Sequence, residues 1–133
     1  METSSRPALG GTQMLNLDTH ILIHALRGDV RPSERVLLAA QPWSVAAIVL
    51  WELAKLARLG RITLDLDDPD VGNTLASLHV WPLDLSVARA STRLDFRGDP
   101  ADELIAATSI VHGIPLLTRD RRIRRSKIVP LAK

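Results

Sequence analysis

Met14-Leu15-Asn16-Leu17-Asp18-Thr19-His20 sets the architecture of this chain. Leu15–Leu17 is a short apolar run that ends in an acid, the composition of a buried strand stopping at a polar edge. Thr19–Arg27 follows as a helix stopped by Gly28, so the chain opens with a strand feeding directly into a helix. The alternation continues downstream. Ser33–Ala40 is a second helix opened by Pro32, and Pro42–Ser44 is a short extended approach to a long helix, Val45–Leu59, ended by Gly60. Asp68–Leu78 is a weaker helix, His79–Leu83 a strand, Ser86–Leu94 a helix, and Pro100–His112 a helix closed by Gly113. Ile114–Thr118 is the next strand, and Ile128–Leu131 adds a last short one at the edge. Strands separated by helices predict an α/β domain: a parallel, twisted sheet flanked by helices on both faces.

Four acids stand out against this frame. Asp18 and Asp120 each sit just past the end of a strand, where open parallel sheets gather ligands. Glu52 falls in the helical spacing Val45, Ile48, Glu52, Leu56, Leu59, and Asp102 in the spacing Asp102, Ile105, Ala106, Ser109, Ile110. A carboxylate in an apolar stripe is costly unless its charge is compensated. Each has a plainer reading. Asp18 is a natural N-cap, Glu52 can pair with Lys55, Asp102 is a first-turn acid behind the N-cap Asp99 and Pro100, and Asp120 can be a turn residue. Taken together, the four predict one shared pocket that holds a cation.

Composition narrows the chemistry. The chain has 133 residues, 46% of them apolar, enough for one domain with a core. No apolar run approaches the roughly 20 residues of a membrane span, and no secretory signal is visible. Residues 1–13 carry no periodicity and read as a flexible extension, with the folded domain spanning 14–133. The absence of cysteine removes thiolate sites and is consistent with a cytoplasmic protein. His20 and His24 have an i, i+4 spacing but lack the metalloprotease glutamate and a third ligand, so they read as packed or surface histidines. Oxygen ligands favour magnesium or manganese. Trp43, Trp51 and Trp81 read as core and interface residues, and Asp65, Asp67, Asp68 and Asp70 as a solvated loop. There is no GxGxxG, P-loop or nucleophile elbow. Net charge is only +2, yet Arg119, Arg121, Arg122, Arg124, Arg125 and Lys127 crowd around the single acid Asp120. Such a cluster attracts phosphate backbones.

The chain resembles the PIN-domain ribonucleases, specifically the VapC-type toxins of type II toxin–antitoxin pairs. The matching stretches are Leu17-Asp18-Thr19-His20, then Ser44 to Ala54 around Glu52, then Asp99-Pro100-Ala101-Asp102 through Thr108, and Leu117-Thr118-Arg119-Asp120. The resemblance runs from about Met14 to Leu131. It implies a metal-dependent endoribonuclease whose acidic quartet is Asp18, Glu52, Asp102 and Asp120, with Thr118 supporting. It implies one or two magnesium or manganese ions, with Asp18 and Asp102 holding the main one and Glu52 and Asp120 completing the site. Arg119, Arg121 and Arg122 would position the RNA backbone. A small antitoxin lying across the groove and a homodimer are implied as well. Two other classes fit the fold: a non-catalytic RNA- or antitoxin-binding module, and a receiver-type phospho-acceptor domain. The receiver lacks support here, because Asp18 has no acidic neighbour and Arg119, rather than lysine, follows Thr118.

Overall fold

The computed structural model describes residues 13–133. The extension expected over residues 1–13 therefore lies, apart from Gln13, outside the described residues. The elements are β1 (Leu15–Leu17), α1 (Thr19–Arg27), α2 (Pro32–Ala40), β2 (Trp43–Ala46), α3 (Ala47–Arg58), α4 (Pro69–Ser77), β3 (His79–Trp81), α5 (Leu85–Ser91), α6 (Pro100–His112), β4 (Leu116–Leu117) and α7 (Arg121–Arg124). The four strands are parallel, in the order β3-β2-β1-β4. The expected last strand is reduced to a single parallel bridge between Leu131 and Leu116. No helix among the described residues is long and apolar enough to cross a membrane.

Strand β1 lies at the centre of the molecule. Leu15, Asn16 and Leu17 are all 0% exposed although successive side chains point to opposite faces, so both faces of the sheet are covered. Asn16 turns toward α6, where its amide donates to Ser109 Oγ at 2.8 Å. The chain steps from β1 to β2 to β3 in one direction, then crosses back to lay β4 on the far side of β1. The strand order therefore reverses between β1 and β4, and a crevice outside their carboxyl ends follows from that reversal.

Two sequence expectations are corrected. The segment expected to be a short approach before a helix at Val45 is a full strand, Trp43–Ala46, and the helix begins at Ala47. Trp43-Ser44-Val45-Ala46-Ala47-Ile48 is apolar apart from one serine and has no breaker, so periodicity alone does not separate strand from helix; pairing with β1 and β3 decides it. The phase of α3 also shifts. Its buried line continues from Val45 through Val49 and Leu53, while Ile48, Glu52 and Leu56 flank it half-buried and Leu59 is 55% exposed.

One ion pair ties the distant ends of the fold. Glu34 of α2 is 5% exposed and receives Arg119, just past β4, through two parallel bonds of 2.7 Å from Nε and Nη2. Arg119 Nη1 lies 3.2 Å from His24 Nε2, whose other ring nitrogen lies 2.9 Å from Asp29 Oδ1. The arginine donors, with a further bond from Arg31 N, hold the Glu34 carboxyl at about 2, below its ordinary 4.5. A lowered carboxylate stabilises the native state above its unfolded value and loses that contribution as pH falls. Stability measured by urea unfolding is therefore expected to drop as pH falls from about 4.5 toward 2, and this component should vanish in Glu34→Gln. Arg119→Ala, which removes both guanidinium bonds and leaves Glu34 only the Arg31 N–H, should cost about 1–3 kcal/mol near neutral pH; an unchanged denaturation midpoint would show the pair to be dispensable.

Candidate active site

The carboxyl ends of β1 and β4 build the site. Asp18 follows β1 directly and is the N-cap of α1: its Oδ1 accepts Ile21 N–H at 2.9 Å. Its Oδ2 accepts the hydroxyl of Thr118, which follows β4. Thr118 in turn accepts the backbone N–H of Asp120 at 3.1 Å. One hydroxyl thus links two acids from strands that the topology brings side by side. Asp18 is 8% exposed and Thr118 2%. Burial raises the Asp18 carboxyl above its ordinary value, against the opposing hydrogen bonds from Thr118 and Ile21.

Asp120 caps α7, with Oδ1 accepting Arg122 N–H at 2.8 Å and Ile123 N–H at 3.3 Å. The cap satisfies two of the turn's free N–H groups, and the buried Ile123 anchors it to the core. Glu52 arrives from α3, which touches both α1 and α6. Its Oε1 accepts the hydroxyl of Thr19, the residue after Asp18. Asp102 stands in the first turn of α6, half-buried. Asp99 occupies the N-cap position but, contrary to the sequence expectation, its side chain makes no capping bond; Glu103 instead accepts Gly98 N–H at 3.3 Å.

The electrostatics join the four acids. Burial, then the charges of Asp120, Glu52, Asp99 and Asp18 in that order, push the Asp102 carboxyl up to about 6. Among the described residues no three acidic or histidine side chains close tightly enough to cage an ion as they stand. The donor set nonetheless fits a hard divalent cation. It is all oxygen, its charges repel one another, and magnesium commonly binds through one or two carboxylates, waters and a substrate phosphate rather than a closed protein cage.

The basic run does not form one surface. On a one-turn helix, successive side chains fan apart by about 100°. Arg122 turns to the acids, with Nη2 4.0 Å from Asp120 Oδ2 and Nη1 donating to Arg97 O at 2.9 Å. Arg121 and Arg124 line a separate cleft beside α2. Arg119, expected to touch RNA, is engaged by Glu34 and His24 within the protein. His20 is exposed and does not join His24, which contacts Asp29 and Arg119.

Two residues escape sequence reasoning. Thr19 orients Glu52, and its signal in the sequence is its place beside Asp18 in the Leu17-Asp18-Thr19-His20 stretch. Glu34 carries the same signal as the other acids, a carboxylate in phase with an apolar stripe, four residues before the buried Leu38.

The PIN-domain family model matches residues 16–128. Ribonuclease VapC22 of Mycobacterium tuberculosis is 43% identical over 89 residues, which cover 64% of this chain and 68% of the relative. The structure of VapBC2 from Rickettsia felis, bound to a promoter DNA fragment, superposes with a TM-score of 0.68 at 17% identity, covering 90% of this chain and 97% of that one. FitAcB from Neisseria gonorrhoeae gives a TM-score of 0.64 at 22% identity, with coverage of 90% and 97%. At those identities the structures attest the fold.

The raised Asp102 carboxyl has a consequence for stability. Its native value of about 6 exceeds the ordinary 3.8, so the native state binds its proton more tightly than the unfolded chain does. The resulting destabilisation is absent at low pH and grows as pH rises from 3.8 to about 6. In chelator, Asp102→Asn is expected to raise the melting temperature near neutral pH and leave it almost unchanged below the lower value. Added magnesium should narrow the gap by stabilising the wild type. A variant that melts lower at neutral pH would contradict the mutual repulsion of these acids.

Proposed function

The chain belongs to the PIN-domain family, and we propose that it is a divalent-metal-dependent endoribonuclease, the toxin of a toxin–antitoxin pair. The observation that carries the reading is the meeting of Asp18, Glu52, Asp102 and Asp120 in one electrostatic field at the β1–β4 reversal, two of them raised from their ordinary values. The 43% identical relative is a ribonuclease, and the similar structures include a chain from a toxin–antitoxin complex of Klebsiella pneumoniae. The receiver alternative falls with the family assignment. A purely binding module would have no use for four mutually repelling carboxylates.

Asp18 and Asp102 would hold magnesium or manganese, with Glu52 and Asp120 completing the site. When bound, such an ion would supply positive charge toward the phosphodiester and would acidify a water. The chain's own residues supply the positioning. The Thr118 hydroxyl and the Ile21 N–H each donate to one oxygen of Asp18, which fixes the orientation of the carboxylate and of its remaining lone pairs. Thr19 does the same for one oxygen of Glu52. Arg122, held by Arg97 O next to Asp120, places a cation where a substrate phosphate would approach the acids. Arg119 leaves the RNA-binding set and becomes a positioning residue for the end of β4.

A small antitoxin is the proposed neutralising partner; a chain of similar fold comes from a toxin–antitoxin complex. A homodimer would cover Trp51, which is 57% exposed on α3 with Lys55 Nζ 5.3 Å from its ring centre. Trp43, by contrast, is half-buried and donates its ring N–H to Leu38 O at 2.8 Å.

The decisive experiment is cleavage of RNA by the purified protein. Magnesium or manganese should support it and EDTA should stop it. Asp18→Asn and Asp102→Asn should each lower the rate at least ~100-fold, on the order of 3 kcal/mol in the barrier. Asn at position 18 retains the helix cap, so folding should survive. Undiminished cleavage in chelator, or by these folded variants, would overturn the reading.

A further inference from the structure

We propose that the cleft between α2 and α7 is a second phosphate-binding subsite, taking a phosphodiester of the RNA strand that flanks the one at the acids. The inference rests on the ribonuclease reading above. The cleft has a volume of about 610 Å³. Its rim carries the guanidinium groups of Arg31, Arg121 and Arg124, none of which forms a salt bridge among the described residues. Arg124 donates one N–H to Thr118 O at 3.3 Å, a neutral acceptor, and has no acidic partner among the described residues. Glu34 also lines the cleft but does not cancel this charge, because both of its oxygens accept from Arg119 at 2.7 Å. The rim is therefore strongly cationic. Leu37, Leu117 and Ala132 give the cleft an apolar wall, suited to a sugar or base beside the phosphate.

Continuity with the acid site identifies the ligand class. Thr118 lines the cleft, and its hydroxyl is the one bonded to Asp18. Helix α7 straddles the boundary: its cap Asp120 and Arg122 belong to the acid side, while Arg121 and Arg124 belong to the cleft. An anionic strand running across α7 thus meets guanidinium groups before and after the carboxylates. Guanidinium forks match phosphate oxygens in pairs. A carboxylate-rich peptide would suit the cleft but be repelled where the chain continues to Asp18, Asp102 and Asp120. A phosphodiester reaches those acids together with its counter-cation. RNA is therefore favoured over an acidic peptide.

The test uses the full-length protein and a single-stranded RNA oligonucleotide that it cleaves, in a series with one phosphate at a time replaced by a neutral methylphosphonate. In magnesium, the double variant Arg121→Ala/Arg124→Ala should raise KM by about tenfold or more with kcat near wild type. One flanking methylphosphonate should raise the wild-type KM by a similar factor and add nothing in the double variant, which a merely structural role would not produce. The dependence of log affinity on log salt should also become shallower, by somewhat under one unit for each phosphate that is no longer neutralised. Arg93→Ala, in a groove beside α5, should change neither. An unchanged KM, or losses that add at every methylphosphonate position, would overturn the subsite. If the wild type cleaves no RNA, the ribonuclease reading fails separately. Fluorescence anisotropy with the same oligonucleotides then decides the cleft: weaker binding by the double variant supports it, and equal binding overturns it. Unchanged RNA binding by the double variant, together with weaker binding of an aspartate-rich peptide, would reassign the cleft to a protein partner.

Discussion

The molecule is organised around a carboxylate held at the dry junction of β1 and α1. Asp18 caps its own helix through Ile21 N–H and receives the Thr118 hydroxyl from a position 100 residues away. Both bonds are charge-assisted, and they offset part of the cost of taking the carboxylate out of water. They also pin the register of β1 against β4, in which Asn16 pairs with Leu116 and Leu17 with Leu117. A slip of one residue would turn Thr118 to the opposite face and leave Asp18 without its second donor. The geometry of the site and the pairing at the centre of the sheet are thus the same fact.

Buried acids are handled in two ways. Glu34 is given a counter-charge, Arg119, in a two-pronged pair that lowers its carboxyl to about 2. Asp18 and Asp102 are given hydroxyl or backbone donors, or one another, and rise above their ordinary values. The first arrangement is electrostatically complete and holds α2 to the end of β4. The second is incomplete, and its deficit is positive charge. That contrast separates structural acid from functional acid better than burial does. Glu34 and Asp18 are both buried, yet only Asp18 faces a site whose charge is left unbalanced.

Much of the fold was legible because its elements are short and sharply punctuated. Asp18, Gly28, Pro32, Pro100 and Gly113 mark boundaries that the structure keeps. The misread boundaries have separate causes. Around Trp43–Ile48 no breaker interrupts the apolar run, so its conformation is fixed by neighbours on both sides rather than by local pattern. The expected edge strand over Ile128–Leu131 retains one bridge, because Pro130 can accept but not donate in a ladder. Helix α7 is hidden beneath its arginines; only the cap by Asp120 reveals it. Of the candidate site, the four acids were readable one by one, whereas the hydroxyls that hold two of them were readable only in part, through Thr118.

Local pattern alone was enough to mark the first strand and most helix boundaries, and to single out acids at strand ends or in apolar stripes, although it misplaced the end of β2 and the buried line of α3. Those properties follow from periods of two and 3.6 residues and from caps, all contained within one element. The choice of partner for each acid lay beyond it. Glu34 with Arg119, Thr118 with Asp18 and Glu52 with Thr19 join residues 33 to 100 positions apart. The division of one basic run into an acid-facing arginine, a buried ion pair and a cleft is of the same kind. Such pairings depend on strand order, register and the direction of each side chain around its helix. Those emerge only when the reversal between β1 and β4 sets these two strands side by side, because no local pattern carries the charge of a neighbour it has not yet met.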